Sequence, residues 1–390
     1  MTGTTRCPPG PQRRCVGVLF GGPSAEHEVS CSSALAVLRA LPSDRFQPIV
    51  IGIDRDGCFV LIDDDEVERL RRQQAGARAI DDRLSADGRP VRLQSRPGTP
   101  CAQVVSADGP AEPLAALDVV FPLLHGSFGE DGVIQGLLEA LSVPYVGCGV
   151  LASAVGMNKI AMKRAFLAEG IPITPHVWFD EPRWRAPGGG ARLVGSLRWP
   201  LFVKPSSMGS SIGVSRVSSE DDLHLAVEQA LRWDHFVLVE QGVRGRELEC
   251  GVLGGAEPEA SVVGEVTVTG GWFDYRQKYF SAADPMTVPA PLDPAVADEI
   301  RELSVRAFGA IDGWGLARAD FLYDEQAGRL YVNELNTMPG FTAHSMYPKV
   351  WARSGIPYAD LVLRLIELAF TRHARTRQCP TPEVAPCPTG

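Results

Sequence analysis

The sequence predicts an α/β protein of two or three domains whose first domain is built on a parallel sheet, and three observations carry that reading. The chain has 390 residues, more than the roughly 100–200 residues of a typical domain. Its opening, Cys15 to Phe20 (CVGVLF), is a short apolar run closed by Gly21-Gly22-Pro23-Ser24. Helical apolar spacing follows from Ala25 to Leu41, and then a second apolar run from Phe46 to Ile53. Strand, glycine turn, helix and strand make a βαβ unit, which pairs its strands in parallel. The third observation is that short β-branched runs alternate with helical stretches from about residue 200 to residue 370.

The elements follow in order. From Asp54 to Pro113 the chain turns polar and rich in Arg, Asp, Gly and Pro without a sustained period, which predicts an insertion with some local structure and surface loops. Leu117 to Leu124 is the next buried strand, a helix runs from about Ile134 to Leu141, and Pro144 to Gly147 begins another strand and turn. A helix follows Lys159 to about Glu169, and Asp180 to Arg198 is a linker or loop. A second sheet takes Leu201 to Lys204, Ile212 to Val217 and Phe236 to Glu240, with a helix from Glu220 to Leu231. Further strands are expected at Glu249 to Leu253, Ser261 to Val268, Ala319 to Tyr323 and Leu330 to Asn333, with helices at Ala295 to Ile311 and Tyr358 to Phe370. The proline-rich end reads as a disordered tail.

Composition narrows the function. With 45% hydrophobic and 22% charged residues the chain can bury a real core. Its net charge of -9 argues against a general nucleic-acid binder. No apolar run reaches the roughly 18 residues of a membrane span, and Arg6 to Arg14 are not followed by the apolar stretch of a signal peptide. A cytoplasmic protein is therefore expected. The nine cysteines are scattered and form no C-x-x-C pair, so neither a zinc site nor a disulfide scaffold is indicated. Of 38 basic residues only Lys159, Lys163, Lys204, Lys278 and Lys349 are lysines. In a chain that favours arginine, each lysine raises the question of whether a compact ammonium is needed.

Two constellations carry chemistry. Lys204-Pro205-Ser206-Ser207-Met208-Gly209-Ser210-Ser211-Ile212-Gly213 is a strand feeding a loop of glycines and serines. Small residues there let backbone amides approach a phosphate, and the lysine adds a point charge. The lysine precedes the glycines, so this is not a Walker A loop; a serine-rich hairpin turn is the competing reading. The second constellation is Arg318-Ala319-Asp320 and Glu334-Leu335-Asn336. Strand alternation puts Arg318 with Asp320, and Glu334 with Asn336, on one face. If the strands pair around Asp324 to Arg329, Asp320, Glu334 and Asn336 converge as the oxygen ligands that Mg²⁺ takes when it bridges phosphates. A solvated hairpin with alternating polar faces is the plain alternative.

Taken together the motifs resemble those of the D-alanine-D-alanine ligase family within the ATP-grasp superfamily. They occur in the family's order: Val18 to Ser30 (VLFGGPSAEHEVS), His125 to Gly132 (HGSFGEDG), Gly156 to Lys159 (GMNK), the Lys204 loop, Val239-Glu240 with Glu247, Phe273 to Tyr279 (FDYRQKY), and Asn333 to Met346 (NELNTMPGFTAHSM). The resemblance covers about Val16 to Phe370 and implies a three-domain ATP-grasp architecture with a Rossmann-like N-terminal domain. The implied boundaries are an N-terminal tail over 1–14, an N-terminal domain over 15–153 with the insertion at about 54–113, a central subdomain over 154–246, a C-terminal subdomain over 247–373, and a tail over 374–390.

The resemblance also implies roles. ATP and two Mg²⁺ (or Mn²⁺) ions are expected, with D-alanine as substrate, no nucleic acid or membrane partner, a homodimer, and a place in peptidoglycan precursor synthesis. Glu26 would hold the first D-alanine's ammonium and His125 its carboxylate. Lys159, Lys204, Ser210 and Ser211 would grip the phosphates of ATP, and Glu240 and Glu247 the adenine edge or ribose hydroxyls. Asp320, Glu334 and Asn336 would bind the metal. Arg318 with the Gly340 amide would form an oxyanion hole, and Lys278 with Ser345 would hold the second alanine's carboxylate. Tyr279, linked to Glu26 through Ser210, would close a lid. Lys163 and Lys349 receive no role. Three positions depart from the family pattern: Asn158 where Asp is usual, Met208 where Glu is frequent, and Phe273 where Tyr is common. The first two raise the expectation of weaker nucleotide affinity. D-lactate or D-serine as second substrate, and a ligase of secondary metabolism, are the nearest rivals.

Overall fold

Short apolar runs become strands, and the first of them set the frame of the computed structural model, which describes residues 13–72, 80, 88–95, 102–108, 113–267 and 286–377. β1 (Arg14–Gly21), α1 (His27–Ala40) and β2 (Phe46–Ile53) form the expected βαβ unit, with β1 parallel to β2. At its turn Gly21 has φ +88° and lies so close to the next strand that a Cβ would stand 2.3 Å from the Ile53 carbonyl oxygen. Only glycine fits that backbone.

In the polar stretch after Asp54 the described residues form more regular structure than the composition suggests. It holds β3 (Phe59–Leu61), α2 (Asp64–Arg72), β4 (Arg89–Ser95), β5 (Ala102–Ser106) and β6 (Pro113–Leu117), and its strands extend the first sheet antiparallel. β4 reads as polar because it exposes most of its length and buries Val91 alone. Parallel β7 (Val119–Pro122) closes the other edge, giving a seven-stranded order β6-β5-β4-β3-β2-β1-β7. The α/β class holds, but the opening sheet is mixed: only β2, β1 and β7 run parallel. Pro144 to Gly147, expected as a strand, contributes a single bridge from Tyr145 to Val120.

α3 (Val133–Ala140), α4 (Val150–Met157) and α5 (Lys159–Ala168) lead to a second sheet. It is antiparallel, made of β8 (His176–Asp180), β9 (Leu201–Pro205), β10 (Ser215–Val217) and β11 (Phe236–Gln241), with order β10-β9-β11-β8. The expected linker after Asp180 is partly helical, with α6 at Glu181–Arg185 and a 3₁₀ turn at Gly190–Val194. α7 (Glu220–Ala230) completes this layer, which has a core of its own around Phe179, Trp184, Val203, Leu223 and Val237.

The third sheet, also antiparallel, has order β14-β13-β12-β15-β16. Its strands are β12 (Arg246–Gly254), β13 (Glu259–Val266), β14 (Met286–Thr287), β15 (Gly315–Asp324) and β16 (Arg329–Asn336), with α8 (Pro294–Ala310) against it. α9 (Met346–Arg353) and α10 (Tyr358–Arg377) end the described chain. Both pack into one apolar cluster with the first sheet, where Phe20, Leu38 and Phe121 meet Phe341, Trp351 and Leu365. The first and last elements of the described chain therefore share a core. α10 also runs past the expected start of the C-terminal tail at residue 374: Arg372 lies 3.8 Å over the Tyr145 ring and donates to the Gly147 carbonyl oxygen (2.8 Å), and Arg375 lies 5.6 Å over Trp314. Cation–π contacts of this kind hold the last turns in place.

Candidate active site

The three sheets enclose a cleft of about 1460 Å³, and every expected site residue in the described part of the chain lines it. Ordinary small-molecule pockets span roughly 300–1,000 Å³, so this cleft has room for more than one ligand. Lys278, Tyr279 and Phe273 lie outside the described residues.

The carboxylate cluster is built by strand register. β12, β15 and β16 lie side by side, with Glu249 opposite Asp320, Asp320 opposite Glu334, and Arg318 opposite Asn336. One face of the sheet thus collects all five. Arg318 grips Asp320 with two bonds of 2.7 Å and reaches Glu249 at 2.9 Å. Asn336 donates to Asp320 Oδ2 at 2.9 Å. A bulge after Asp320 leaves Asn333 unpaired in the ladder and turned towards Lys204. Two carboxylates and a carboxamide oxygen are the hard donors a divalent cation takes from a protein when it also holds phosphates. Each carboxylate already has a cationic partner, Arg318 on Asp320 and Lys159 on Glu334 at 3.1 Å, so the cluster accommodates positive charge. Among the described residues no three His, Cys, Asp or Glu side chains are drawn together as a ready metal cage.

Opposite this face lies the Lys204 loop. Ser210 and Ser211 both adopt the left-handed backbone conformation, with φ 51° and 58°, followed by Gly213 at 71°. Non-glycine residues rarely hold that conformation, and successive turns of this kind expose backbone N–H groups to anions. α5 points at the same loop. Asn158 caps it by accepting from the Ala161 amide (2.8 Å) and donates to Ser207 Oγ (3.0 Å), while the Lys159 amide donates to the Ser206 carbonyl oxygen (2.8 Å). Asn caps a helix as well as Asp does, and its amide adds a donor that a carboxylate lacks. The departure at Asn158 therefore carries no structural penalty. Lys159 Nζ reaches the Met208 carbonyl oxygen at 3.0 Å, so position 208 contributes backbone whatever its side chain.

Lys163, to which the sequence assigned no role, is the most buried lysine in this region at 1% exposure. It stands 2.6 Å from Glu240 Oε1, and Lys204 stands 2.5 Å from Glu240 Oε2. Burial alone would raise the Glu240 pKa, but the two lysines outweigh it and hold the carboxyl well below its ordinary range. Burial lowers the Lys163 pKa against the pull of Glu240. At Lys204 burial acts in the same direction, and Glu240 and Glu334 reverse it, so that ammonium is stabilised. Two features of the sequence could have singled out Lys163: its scarcity as a lysine, and its place one helical turn after Lys159.

On the side of the cleft formed by the first sheet Glu26 precedes α1, between the Gly126 turn and the Ser210 loop. A Cβ on Gly126 would stand 2.8 Å from Glu26 Oε2, and one on Gly209 would stand 3.8 Å away, which places Glu26 beside the Ser210 loop. His125 is buried with both ring nitrogens engaged. Nδ1 bonds the Met338 carbonyl oxygen (2.9 Å) and Nε2 bonds Ser33 Oγ (2.9 Å). A carbonyl only accepts, so Nδ1 carries the hydrogen and Nε2 accepts from Ser33. Burial pulls the pKa below the usual histidine value, in keeping with a neutral ring. The ring thus ties the first sheet to the loop after β16 and keeps no N–H directed at a substrate carboxylate. Glu130 makes a parallel tie, accepting from the Gly126 amide (2.7 Å) and the Met338 amide (3.0 Å). Burial, then the charge of Glu26, push its pKa up to about 8. Glu130 and Glu249 were not singled out in the sequence, although Glu130 sits within HGSFGEDG and Glu249 shares a strand face with Glu247. Gly340 and Ser345 are neighbours: a Cβ on Gly340 would stand 3.2 Å from Ser345 Oγ, which also meets the Thr342 hydroxyl at 2.8 Å.

Comparison with known proteins agrees with this layout. The family described as "D-ala D-ala ligase N-terminus" matches residues 15–148, and "D-ala D-ala ligase C-terminus" matches residues 166–367. The D-alanine--D-alanine ligase of Mycobacterium avium is 46% identical over 93% of this chain and 98% of its own; that of Heliobacterium modesticaldum is 41% identical over 93% and 96%. Among solved structures, the D-alanine-D-alanine ligase of Coxiella burnetii superposes with a TM-score of 0.79 at 35% identity, covering 94% of this chain and 96% of that one. A D-Ala:D-Ser ligase from Enterococcus faecalis gives 0.80 at 32%, covering 92% and 100%. The chain belongs to the D-alanine-D-alanine ligase family of ATP-grasp ligases.

Proposed function

We propose that the protein joins two D-alanines into D-alanyl-D-alanine at the expense of ATP, as a step in supplying peptidoglycan precursors. The observation that carries the reading is the single cleft in which an ammonium-rich phosphate loop faces a carboxylate cluster, with Glu26 and the Gly340–Ser345 loop lining the same cleft.

In this reading the first D-alanine is oriented by Glu26, whose carboxylate pairs with its ammonium. The substrate carboxylate attacks the γ-phosphorus of ATP, the bond to the bridging oxygen breaks, and ADP leaves with the electron pair. The amine of the second D-alanine then attacks the acyl phosphate carbon, and phosphate departs as the amine loses a proton. Lys159, Lys204 and the amides of the Ser210 loop hold the phosphates. Glu240 and Glu247 take the base and ribose. Arg318 and the Gly340 amide face the oxyanion of the second step, where fixed donors lower the barrier most. Ser345, with Lys278, takes the second carboxylate, and Tyr279 with Ser210 covers the site. His125 acts by position, holding Met338 and hence the Gly340 loop against the first sheet. Asp320, Glu334 and Asn336 would hold Mg²⁺ or Mn²⁺, two ions in all, which would supply neutralisation of charge on the phosphates.

Three coarser expectations belong to the same proposal. The three sheets support domains over 15–153, 154–246 and 247–373. A homodimer is supported by exposed aliphatics on the paired helices α3 and α4, including Val133 at 55% and Leu151 at 61% exposure. A cytoplasmic setting follows from the use of ATP, and no helix among the described residues is long and apolar enough to cross a membrane.

The test is a product analysis by mass spectrometry with ATP, D-alanine and, in competition, D-serine or D-lactate near pH 7. D-Alanyl-D-alanine is expected to dominate. An imidazole in the lid would favour lactate's carboxylate by its partial charge, whereas the phenol of Tyr279 is neutral there. Dominance of the D-serine dipeptide or the lactate ester would replace this assignment of the second substrate.

A further inference from the structure

Lys163 is a buried cation to which the proposed reaction gives no task. It shares a helix face with Lys159, yet its Nζ turns away from the phosphate loop to Glu240 Oε1 at 2.6 Å and Thr174 Oγ1 at 3.4 Å. The Thr174 hydroxyl donates to that same carboxylate oxygen. Lys204 takes the other oxygen at 2.5 Å and also reaches Asn333 Oδ1 at 3.4 Å. One carboxylate thus holds two ammoniums, and it can fully compensate only one of them.

The two lysines differ in what they can reach. Thr174, Lys204 and Glu240 line the cleft, while Lys163 stands behind them at 1% exposure. Only Lys204 can turn to a phosphate, and when it does Glu240 gives up a cation from Oε2. A buried glutamate without a cation loses its charge. With Lys163 and Thr174 still on Oε1, it stays ionised with Oε2 released as an acceptor towards the cleft.

We propose that Lys163 is a positioning residue for the nucleotide: it keeps Glu240 ionised and aimed while Lys204 is handed to the phosphates, so that Glu240 Oε2 can accept the exocyclic amine of adenine. The inference rests on the ATP reading above and adds the origin of adenine preference. An ion pair that merely fastened α5 to β11 would be indifferent to the base.

The experiment measures ADP and IDP binding to the full chain by titration calorimetry, alongside the KM for D-alanine. IDP carries a carbonyl acceptor where ADP carries the amine, so an ionised Glu240 distinguishes them. Lys163→Met is expected to weaken ADP by roughly tenfold or more, leave IDP no weaker and the D-alanine KM within about twofold, and so collapse the ADP preference. Equal weakening of ADP and IDP, or no change in either, overturns the proposal. Should Lys163→Met not fold, the Lys163→Met/Glu240→Gln pair removes both charges together. It is expected to show no more ADP preference than Glu240→Gln alone, and a preference as strong as the unsubstituted chain's overturns the proposal. Failure of the unsubstituted chain to bind ADP would instead overturn the ligase reading.

Discussion

Glu240 and Glu130 are the same side chain on the wall of the same cleft, and they hold their protons in opposite ways. Glu240 is 3% exposed and its carboxyl is held well below the ordinary range, because two lysines stand within 2.6 Å of it. Glu130 accepts two backbone N–H groups but has no lysine, faces Glu26, and is pushed up to about 8. Burial raises both; the neighbouring charge decides the outcome. The difference separates the surroundings of Glu240, where ammoniums gather and a phosphate is suited, from those of Glu130 and Glu26, where carboxylates gather and an ammonium is suited.

The largest effect is expected at the side chains that would hold the metal against the phosphates. Glu334→Ala or Asn336→Ala should lower turnover by roughly a hundredfold or more, measured as phosphate release, through lost stabilisation of the transferring phosphate. Near-normal turnover in both would remove them from the metal site. Lys204→Arg should be nearly as harmful as Lys204→Ala, because a planar fork does not replace a point charge that must turn from Glu240 to a phosphate beside a loop of small residues. An ATP KM and rate equal to those of the unsubstituted chain would show that the ammonium is incidental.

Glu130 sharpens the comparison through pH. The folded chain keeps this proton up to about pH 8, whereas an unfolded glutamate loses it near 4.5. Between those values the folded state binds more protons, so stability falls as pH rises, by at most about 1.4 kcal/mol per unit. Glu130→Gln should flatten that slope in thermal melts from pH 5 to 8, and an unchanged slope would mean the carboxyl is already ionised. The smallest effect belongs to Asn158→Asp. Both residues cap a helix, so the melting temperature and the ATP KM should barely move. A severalfold change in KM would assign Asn158 a direct contact with the nucleotide.

How much of this was legible in the sequence depends on how a segment is buried. β1, β2 and β7 are buried on both faces and read as unbroken apolar runs. β4 and β8 bury a single residue each, Val91 and Phe179, and were missed for that reason. Ile212 to Val214 read as strand but belong to the loop where Ser210 and Ser211 turn left-handed, with β10 starting only at Ser215. In the site, strand alternation foretold that Arg318, Asp320, Glu334 and Asn336 share a face. Partners brought in from other elements were not legible. The ties of His125 to Ser33 and Met338, and of Lys163 to Glu240, join residues 92, 213 and 77 positions apart, and no local pattern encodes them.

The central claim is that the carboxylate of the first D-alanine attacks ATP in this cleft, and oxygen transfer tests it most directly. With D-alanine labelled with ¹⁸O in its carboxylate, the account predicts that inorganic phosphate released during dipeptide formation carries one labelled oxygen, since the carboxylate oxygen that attacks phosphorus leaves with the phosphate. Dipeptide formed with unlabelled phosphate would contradict the acyl phosphate route and the assignment of the Lys204 loop and the carboxylate cluster to a shared reaction.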